Sequence, residues 1–557
     1  MNGNTKSLFV AGIALTTCLG LGMIVRTDSH KPPPFTPGSE TIVVIPDTEG
    51  YTSRRPQQFI DMMKWVAAQQ KARNITYLLH VGDVTNNNTK REWENARKSF
   101  DVIEGKLRYV LAAGNHDYDH TPGRLTHMND YFKVAELKKW STFGDVYEKG
   151  KLENHYQLMK IQGRDWIVLS LEMGPRKKVI EWANNVLAKH KNRLAIILTH
   201  GYLYYNNQRY NHLMGRQRAT PYNFYGEGAD GEQLWNQLVR RHSNVMMVIC
   251  GHLSAGYVGY RNDEGDYGNA VHQMMVDYEN LRGGRGFLRL LEFQPDKKTV
   301  QVRTYSPLTG EKNPRDPKLE EFSFRLRFAT RTKPVRVDGP SRRLRKPPKH
   351  RYRFGEIGGD GTRINDSIGN AHGTLVAEDS QSRLNGKGQL VLKGSGRVDL
   401  PSMLKKQNDV SFEVWLTPLS KEYQWHSAVR FGNPNDWLHY CFRNFNTVRA
   451  EIAVRRHNED IQVPSAAVLG KPMHIVVTYD HKANEGKPVL CFYRDGKRYG
   501  RLPTNLKLTD VADNQNRIGP FVGQFDELRV YDYALTEEEV RGTHKAGPNK
   551  LEVAKSR

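Results

Sequence analysis

Residues that bind metal ions repeatedly follow apolar, strand-like segments in this chain. The segments are 41–45, 77–81, 109–113, 194–198 and 245–249, and the polar strings that follow them are Asp47-Thr48-Glu49, Gly82-Asp83, Gly114-Asn115-His116-Asp117, His200 and Gly251-His252. Ligands in α/β sheets gather where parallel strands end, so these donors should meet at one edge of a sheet. Mixed oxygen and nitrogen donors suit divalent metals. The pattern predicts a metal-dependent hydrolase built on an α/β sheet.

Length and composition set the outer bounds of the architecture. A chain of 557 residues is too long for one core, so we expect two or three domains. Four cysteines without a Cys-x-x-Cys string are too few for a disulfide framework and do not indicate structural zinc.

The chain is strongly basic, which favours acidic partners. Its formal net charge is +23, from 83 Lys and Arg against 60 Asp and Glu. Much of this excess lies around the proline-containing stretch 326–350, which we interpret as a solvated linker. Because no interleaved aromatic residues accompany the basic ones, nucleic acid is not an expected partner.

The N-terminus has the form of an export segment. A lysine precedes the apolar run 8–25, and an arginine and a proline-rich polar stretch follow it. We predict that residues 1–30 are a signal peptide. Because the run approaches the length of a bilayer span, an uncleaved N-terminal membrane anchor is the alternative. Either reading places the body outside the cytoplasm, as a secreted, periplasmic or membrane-anchored protein.

Two regions differ in their periodicity. Between residues 41 and 325, strands alternate with stretches of helical spacing at 56–71, 92–107, 177–190 and 232–242, which predicts a layered α/β domain. The irregular stretch 201–231, rich in Tyr, Asn and Arg, is long enough to form a lid over a substrate. Residues 351–547 contain short β-rich runs, a hairpin signal at Asp495-Gly496 and a capping box at Thr536, and we predict an all-β antiparallel sandwich ending in a short helix.

The polar strings, taken in order, resemble the five signature blocks of calcineurin-like metallophosphoesterases. The resemblance covers about residues 41–306 and implies a β-sandwich flanked by helices. It implies that Asp47 and Glu49 bind a first metal ion and that Asp83 bridges two ions. Asn115, His200 and His252 would bind the second ion.

The same resemblance implies a reaction. Metal-activated water would hydrolyse a phosphomonoester or phosphodiester. His116 would donate a proton to the leaving group, and Asp117 would fix the tautomer and charge of His116.

The chain departs from the family pattern at the first metal. Glu49 stands where the family has histidine, and Ser254 stands where the last histidine of Gly-His-x-His is expected. Oxygen donors favour Mg²⁺, Ca²⁺ or Mn²⁺ at that site, whereas the histidine-rich second site suits Mn, Fe or Zn. We therefore expect a tight second ion and an exchangeable first one. His80 is expected to be a core residue. His272 is expected to be structural, unless it approaches the first site.

Residues from about 351 to 547 are similar to laminin-G-like, concanavalin A-like domains of exported bacterial enzymes, and the block 523–535 is their most distinctive match. This resemblance implies a jelly-roll sandwich that attaches the protein to a glycan or extracellular polysaccharide. The alternative to an enzyme is a binding or adhesion protein on a phosphoesterase scaffold that has lost catalysis.

Overall fold

A computed structural model describes most of the chain. It covers residues 31–119, 124–204, 207–210, 228–253, 258–279, 281, 284–334, 341–357, 362–379, 381–404, 407–420, 426–444, 447–464, 469–484 and 486–554. The predicted signal peptide or anchor lies outside these residues. Within them, no helix combines the length and apolar character that a membrane span requires.

The N-terminal region alternates strands and helices, as its periodicity predicts. Its strands are β1 (Glu40–Ile45), β2 (Ile75–His80), β3 (Arg108–Leu111), β4 (Phe143–Val146), β5 (His155–Ile161), β6 (Arg164–Ser170), β7 (Leu194–Leu198), β8 (Val245–Cys250), β9 (Val258–Glu264), β10 (Ala270–Val276), β11 (Leu288–Phe293), β12 (Thr299–Tyr305) and β13 (Phe322–Arg325). Its helices are α1 (Glu49–Arg54), α2 (Pro56–Gln69), α3 (Lys90–Asp101), α4 (Met128–Tyr131), α5 (Val134–Leu137), α6 (Lys177–Lys189), α7 (Gly231–Gln237) and α8 (Pro317–Glu320).

The strands form two sheets that pack face to face. One has the order β13-β12-β11-β1-β2-β3 and the other β4-β5-β6-β7-β8-β10-β9. The strands β1, β2 and β3 are parallel, and so are β6, β7, β8 and β10. Side chains from both sheets share one buried cluster, in which Val44 and Leu79 of the first sheet lie with Ile196 and Ile249 of the second.

Helices cover the outer faces of both sheets. Apolar residues of α2 and α3, including Phe59 and Trp93, are buried against the first sheet, and those of α6 and α7 are buried against the second. The side chain of Thr89 caps α3 by accepting a hydrogen bond from the N–H of Glu92, and the carboxylate of Glu92 accepts one from the N–H of Thr89. The result is the four-layer arrangement of helix, sheet, sheet and helix that the resemblance implied.

The C-terminal region is the expected antiparallel β-sandwich. Its elements are β14 (His350–Ile357), β15 (Arg363–Asp366), β16 (Gly373–Val376), β17 (Arg383–Leu384), β18 (Leu390–Leu392), β19 (Arg397–Leu400), β20 (Val410–Pro418), β21 (His426–Gly432), β22 (Trp437–Asn444), β23 (Thr447–Val454), β24 (His457–Pro464), β25 (Met473–Asn484), β26 (Lys487–Arg494), β27 (Lys497–Pro503), β28 (Asn516–Ile518), β29 (Gly523–Tyr531) and α9 (Glu537–Ala546). Asp495 and Gly496, with φ of 49° and 75°, turn the β26–β27 hairpin. Thr536 forms the predicted capping box of α9.

The two regions touch through polar contacts. Gln208 donates a hydrogen bond to the carbonyl of Asp460 at 2.6 Å, and Arg501 donates one to the carbonyl of Asn262 at 3.1 Å. The described end of the predicted linker also packs on the sandwich, where Leu344 is buried and Arg345 contacts Glu539 at 3.2 Å. Cys250, Cys441 and Cys491 are buried, free thiols.

Candidate metal centre

The predicted donors follow the ends of five strands, β1, β2 and β3 in one sheet and β7 and β8 in the other. Glycines make the close approach possible. A Cβ on Gly82, whose φ is +104°, would lie 2.8 Å from Nδ1 of His200, and one on Gly251 would lie 2.2 Å from Oδ1 of Asp47. Both glycines therefore clear space that a larger residue would take from the donors.

Asp83 lies at the middle of the site. Its Oδ1 accepts a hydrogen bond from the N–H of His116 at 2.8 Å, and its Oδ2 is 2.9 Å from Nε2 of His200. Its φ of 48° is a strained conformation for a non-glycine residue, which is common at functional sites. Asp83 belongs to two groups of potential ligands, each with its atoms within 4.8 Å of one another: one with His200 and His252, the other with Glu49 and His116. A carboxylate in both groups is placed to bridge two ions.

Of the residues assigned to the second ion, Asn115 and His200 are buried and His252 is half-buried. His200 donates from Nδ1 to the carbonyl of Val81 at 2.9 Å, which leaves Nε2 as the ligand nitrogen. Burial and then the charge of His200 lower the pKa of His252 to about 3, so its ring is neutral at physiological pH. The amide of Asn115 is 1% exposed, yet its Oδ1 and Nδ2 make no hydrogen bond.

The residues assigned to the first ion are carboxylates, and the charge of Glu49 contributes to the raised pKa of Asp47. Asp47 is buried, and its Oδ2 accepts a hydrogen bond from the N–H of His252 at 3.0 Å, while its Oδ1 accepts none. Burial, followed by the charges of Asp277 and Asp83, raises the pKa of Asp47 well above its usual range. Burial and the charge of Asp83 likewise raise the pKa of Glu49 to about 11. Such a cluster of acids without a cation is electrostatically unfavourable, so it fits the binding of a divalent ion.

The contacts of His116 and Asp117 involve the backbone of neighbouring loops. Nδ1 of His116 lies 2.8 Å from the carbonyl of Asn86, so a backbone oxygen sets the orientation of that ring. The Asp117 carboxylate is fully buried and accepts hydrogen bonds from the backbone N–H groups of Val84, Thr85 and Gly114. Both oxygens of the carboxylate therefore accept hydrogen bonds from these loops. Asp117 therefore positions the loops that carry the ligands, and its expected effect on the tautomer of His116 stays a prediction.

Sequence reasoning missed two acidic residues at this centre. Asp277 and Glu279 follow β10, and their charges contribute to the raised pKa of both Asp47 and Glu49. Glu279 raises the pKa of Glu49 more than Asp277 does. The available signal was the same one used for the other ligands, an acid directly after an apolar strand.

The remaining predicted residues fall as follows. His80 is buried and lies 2.9 Å from the hydroxyl of Thr48, as expected of a core histidine. His272 stacks on Phe324 with ring centroids 3.9 Å apart and contacts Tyr260, so it is structural and does not complete the first site. Ser254 lies outside the described residues.

Only the two ends of the predicted lid are described, and Tyr205, Arg216, Arg218 and Tyr222 lie outside them. Arg209 is buried over the ring of Trp235 at 3.9 Å and contacts Asp263 and Glu232, so it packs the domain and does not face a substrate. Tyr210, in contrast, has its ring centroid 5.5 Å from that of His252, at the metal centre.

Comparison with known families agrees with this geometry. Residues 25–255 match the model of the calcineurin-like phosphoesterase family, and residues 392–541 match that of the concanavalin A-like lectin/glucanases superfamily. The chain carries a calcineurin-like phosphoesterase domain followed by a concanavalin A-like domain. This is the order that the sequence predicted.

Individual relatives add less. The chain is 33% identical over 309 residues to the uncharacterized protein YvnB of Bacillus subtilis, in a match that covers 54% of this chain and 22% of that protein. The chain thus spans about a fifth of the length of that relative.

Two solved structures resemble part of the chain. Domain 4 of the Geobacillus stearothermophilus arabinanase AbnA, in complex with arabinotriose, is 20% identical with a TM-score of 0.28, over 35% of this chain and 98% of that one. The CBM40 of a Ruminococcus gnavus IT-sialidase, bound to α2,3 sialyllactose, is 15% identical with a TM-score of 0.24, over 28% of this chain and 94% of that one.

Proposed function

We propose that the protein is an exported, metal-dependent phosphoesterase that hydrolyses phosphomonoesters or phosphodiesters. One observation carries the proposal: Asp83 belongs to two adjoining ligand groups, which is the arrangement that a two-ion hydrolytic site requires. The buried amide of Asn115, which makes no hydrogen bond, supports it, because such a group is costly unless it has a ligand.

The chain's own residues would divide the work as follows. Asn115, His200 and His252 would hold the ion at the histidine-rich site, which suits Mn, Fe or Zn. Asp47 and Glu49 would hold a harder ion such as Mg²⁺, Ca²⁺ or Mn²⁺. When bound, the two ions supply Lewis acidity and a water of lowered pKa.

His116 would act as the general acid. Its side chain is 30% exposed, so a substrate can reach it, and Nδ1 is held by the carbonyl of Asn86. Nε2 is then the nitrogen that can donate a proton to the leaving oxygen. The N–H of His116 is bound to Asp83, which couples the position of the acid to the metal centre.

The C-terminal domain would attach the enzyme to a surface. We infer a glycan or extracellular polysaccharide as its ligand, because the domain belongs to a lectin-like superfamily and the predicted N-terminal segment would export the chain. This assignment is tested by binding the full chain to insoluble polysaccharides and, as a control, to a resin that contains no polysaccharide. Equal recovery from all supports would contradict it.

A binding protein on a degenerate scaffold is the second candidate. Glu49 replaces a histidine that the family pattern places at the first ion, and loss of that ligand could have ended catalysis. The placement of His116 favours the enzyme, because a pure binding site needs no proton donor.

An assay on two chromogenic esters separates the candidates. Protein loaded with Mn²⁺ or Fe²⁺ is tested on para-nitrophenyl phosphate and on bis(para-nitrophenyl) phosphate. We expect Asp83→Asn to abolish hydrolysis and His116→Ala to lower kcat by roughly 10²–10⁴-fold. His127→Ala is the matched control, because Nδ1 of His127 lies 2.9 Å from the surface acid Asp130, and the change should leave kcat unchanged. If wild type releases no more product than the Asp83 and His116 variants, the protein is not this enzyme.

A further inference from the structure

An acidic residue directly follows the strand next to β8. β10 runs parallel to β8, with Met275 opposite Cys250. Asp277 and His252 each lie two residues beyond this pair, after the ends of β10 and β8. Asp277 therefore reaches the same edge of the sheet as the predicted ligands, from a strand that supplies none of the five signature blocks.

Asp277 is buried there with one oxygen unused. Its side chain is 0% exposed, and its Oδ1 accepts a hydrogen bond from the N–H of Glu279 at 3.0 Å. Its Oδ2 makes no hydrogen bond. Asp47, the first residue of the metal string, shows the same pattern, with Oδ2 bound to a backbone N–H and a buried Oδ1 that makes no hydrogen bond. A buried carboxylate oxygen without a donor is costly, and a cation relieves that cost.

The charges that act on Asp277 come mostly from other acids of the metal centre. Among the neighbouring acids, Asp277 raises the pKa of Asp47 most. The charges of Glu279 and Asp83 raise the pKa of Asp277 in turn, and that of His200 lowers it. Glu279 has a different environment. Its Oε2 lies within 4 Å of the position that a Cβ on Gly50 would occupy. Guanidinium nitrogens of Arg54, the last residue of α1, and of Arg55 lie within 4 Å of the same position. Glu279 thus lies at the partly exposed rim of the site, where it interacts with Glu49. Asp277 lies in the interior.

We propose that Asp277 is a ligand of the first metal ion and takes the place in the donor set that the missing histidines leave. Together with Asp47, Glu49 and the bridging Asp83, it forms an all-oxygen site for a hard divalent cation. Such donors prefer Mg²⁺, Mn²⁺ or Ca²⁺ to Zn²⁺. The proposal rests on the two-ion centre of the proposed function and adds a ligand to it.

Metal titration of an isosteric variant tests the assignment without relying on activity. Mn²⁺ binding to full-length, metal-depleted protein is followed by electron paramagnetic resonance for wild type, Asp277→Asn and Glu320→Gln. Glu320 is the matched control, because it is also 0% exposed with one oxygen that makes no hydrogen bond, but it lies in α8. We expect Asp277→Asn to weaken the looser Mn²⁺ site at least tenfold and to leave the tighter site unchanged. Equal weak-site affinity in wild type and Asp277→Asn would overturn the proposal.

A measurement on wild type covers the case in which Asp277→Asn does not fold. Crystals soaked in MnCl₂ should give an anomalous peak about 2.0–2.6 Å from a carboxylate oxygen of Asp277. A first-site peak that contacts Asp47 and Asp83 but lies beyond 3.5 Å from Asp277 would also refute the assignment. The outcome is independent of the proposed function. If the protein binds Mn²⁺ through Asp277 but does not hydrolyse the test esters, the ligand assignment stands and the proposed enzymatic function is refuted.

Discussion

Replacing Asp117 by alanine should lower the stability of the phosphoesterase domain by about 4 kcal/mol, and it should do so in the absence of metal. The buried carboxylate accepts hydrogen bonds from the N–H groups of Val84, Thr85 and Gly114 at 3.2, 2.8 and 2.9 Å. Each buried donor left without an acceptor costs roughly 1–3 kcal/mol, and water entering the vacated space recovers part of the roughly 3–9 kcal/mol total.

Urea denaturation in EDTA measures this loss, and hydrogen exchange of peptides that span 83–86 and 114–118 locates it. With a slope of about 2 kcal/mol/M, the midpoint should fall by about 2 M. Asp119→Ala is the control, since Asp119 accepts from the side chain of Asn88 at 2.7 Å and should cost about 1 kcal/mol or less. The reasoning fails if Asp117→Ala unfolds like wild type but shifts the pH profile of kcat, because Asp117 would then act on His116.

Two further perturbations test other parts of the structure. Gly82→Ala should reduce retained metal at the histidine-rich site at least tenfold, measured by mass spectrometry after dialysis, whereas Gly105→Ala, also at positive φ but with no atom within 4 Å of the new Cβ, should retain wild-type metal. In the sandwich, burial alone would lower the pKa of His439, but Cys441 and Glu451 raise it to about 9. The charged ring of His439 therefore stabilises the fold fully below pH 6.5, and this stabilisation is lost as pH rises through 9. In urea unfolding, the free energy of unfolding of wild type should fall by about 2–3 kcal/mol between pH 6 and 10, whereas that of His439→Gln should change little. Parallel pH dependence in both proteins would contradict this.

Much of the architecture could be predicted because local pattern and tertiary structure agree. The apolar run 41–45 became β1 (Glu40–Ile45), and the helical spacing of 177–190 became α6 (Lys177–Lys189). Helix ends were less predictable. The stretch 92–107 extends beyond α3, which ends at Asp101, because amphipathic spacing continues through the turns that follow the helix.

The site could be predicted only where motifs mark it. Asp277 follows a strand of the second sheet, and its distance from Asp47 in sequence hides their proximity. The role of Asp117 depends on which backbone N–H groups reach it, and no spacing in the sequence records that. Arg209 shows the same limit, since an arginine in a loop rich in tyrosine suggests a substrate contact, whereas its partners Asp263 and Glu232 hold it in the protein interior.

We expect the two metal sites to differ in affinity, because the proposed donors of one are two histidines and an amide and those of the other are only carboxylates. The direct test is the metal content of wild-type protein, measured by inductively coupled plasma mass spectrometry after exhaustive dialysis and again after addition of Mn²⁺. We predict about one retained ion per chain after dialysis and about two after Mn²⁺ is restored. Two ions retained per chain after dialysis, or no bound ion either before or after Mn²⁺ is added, would contradict this expectation.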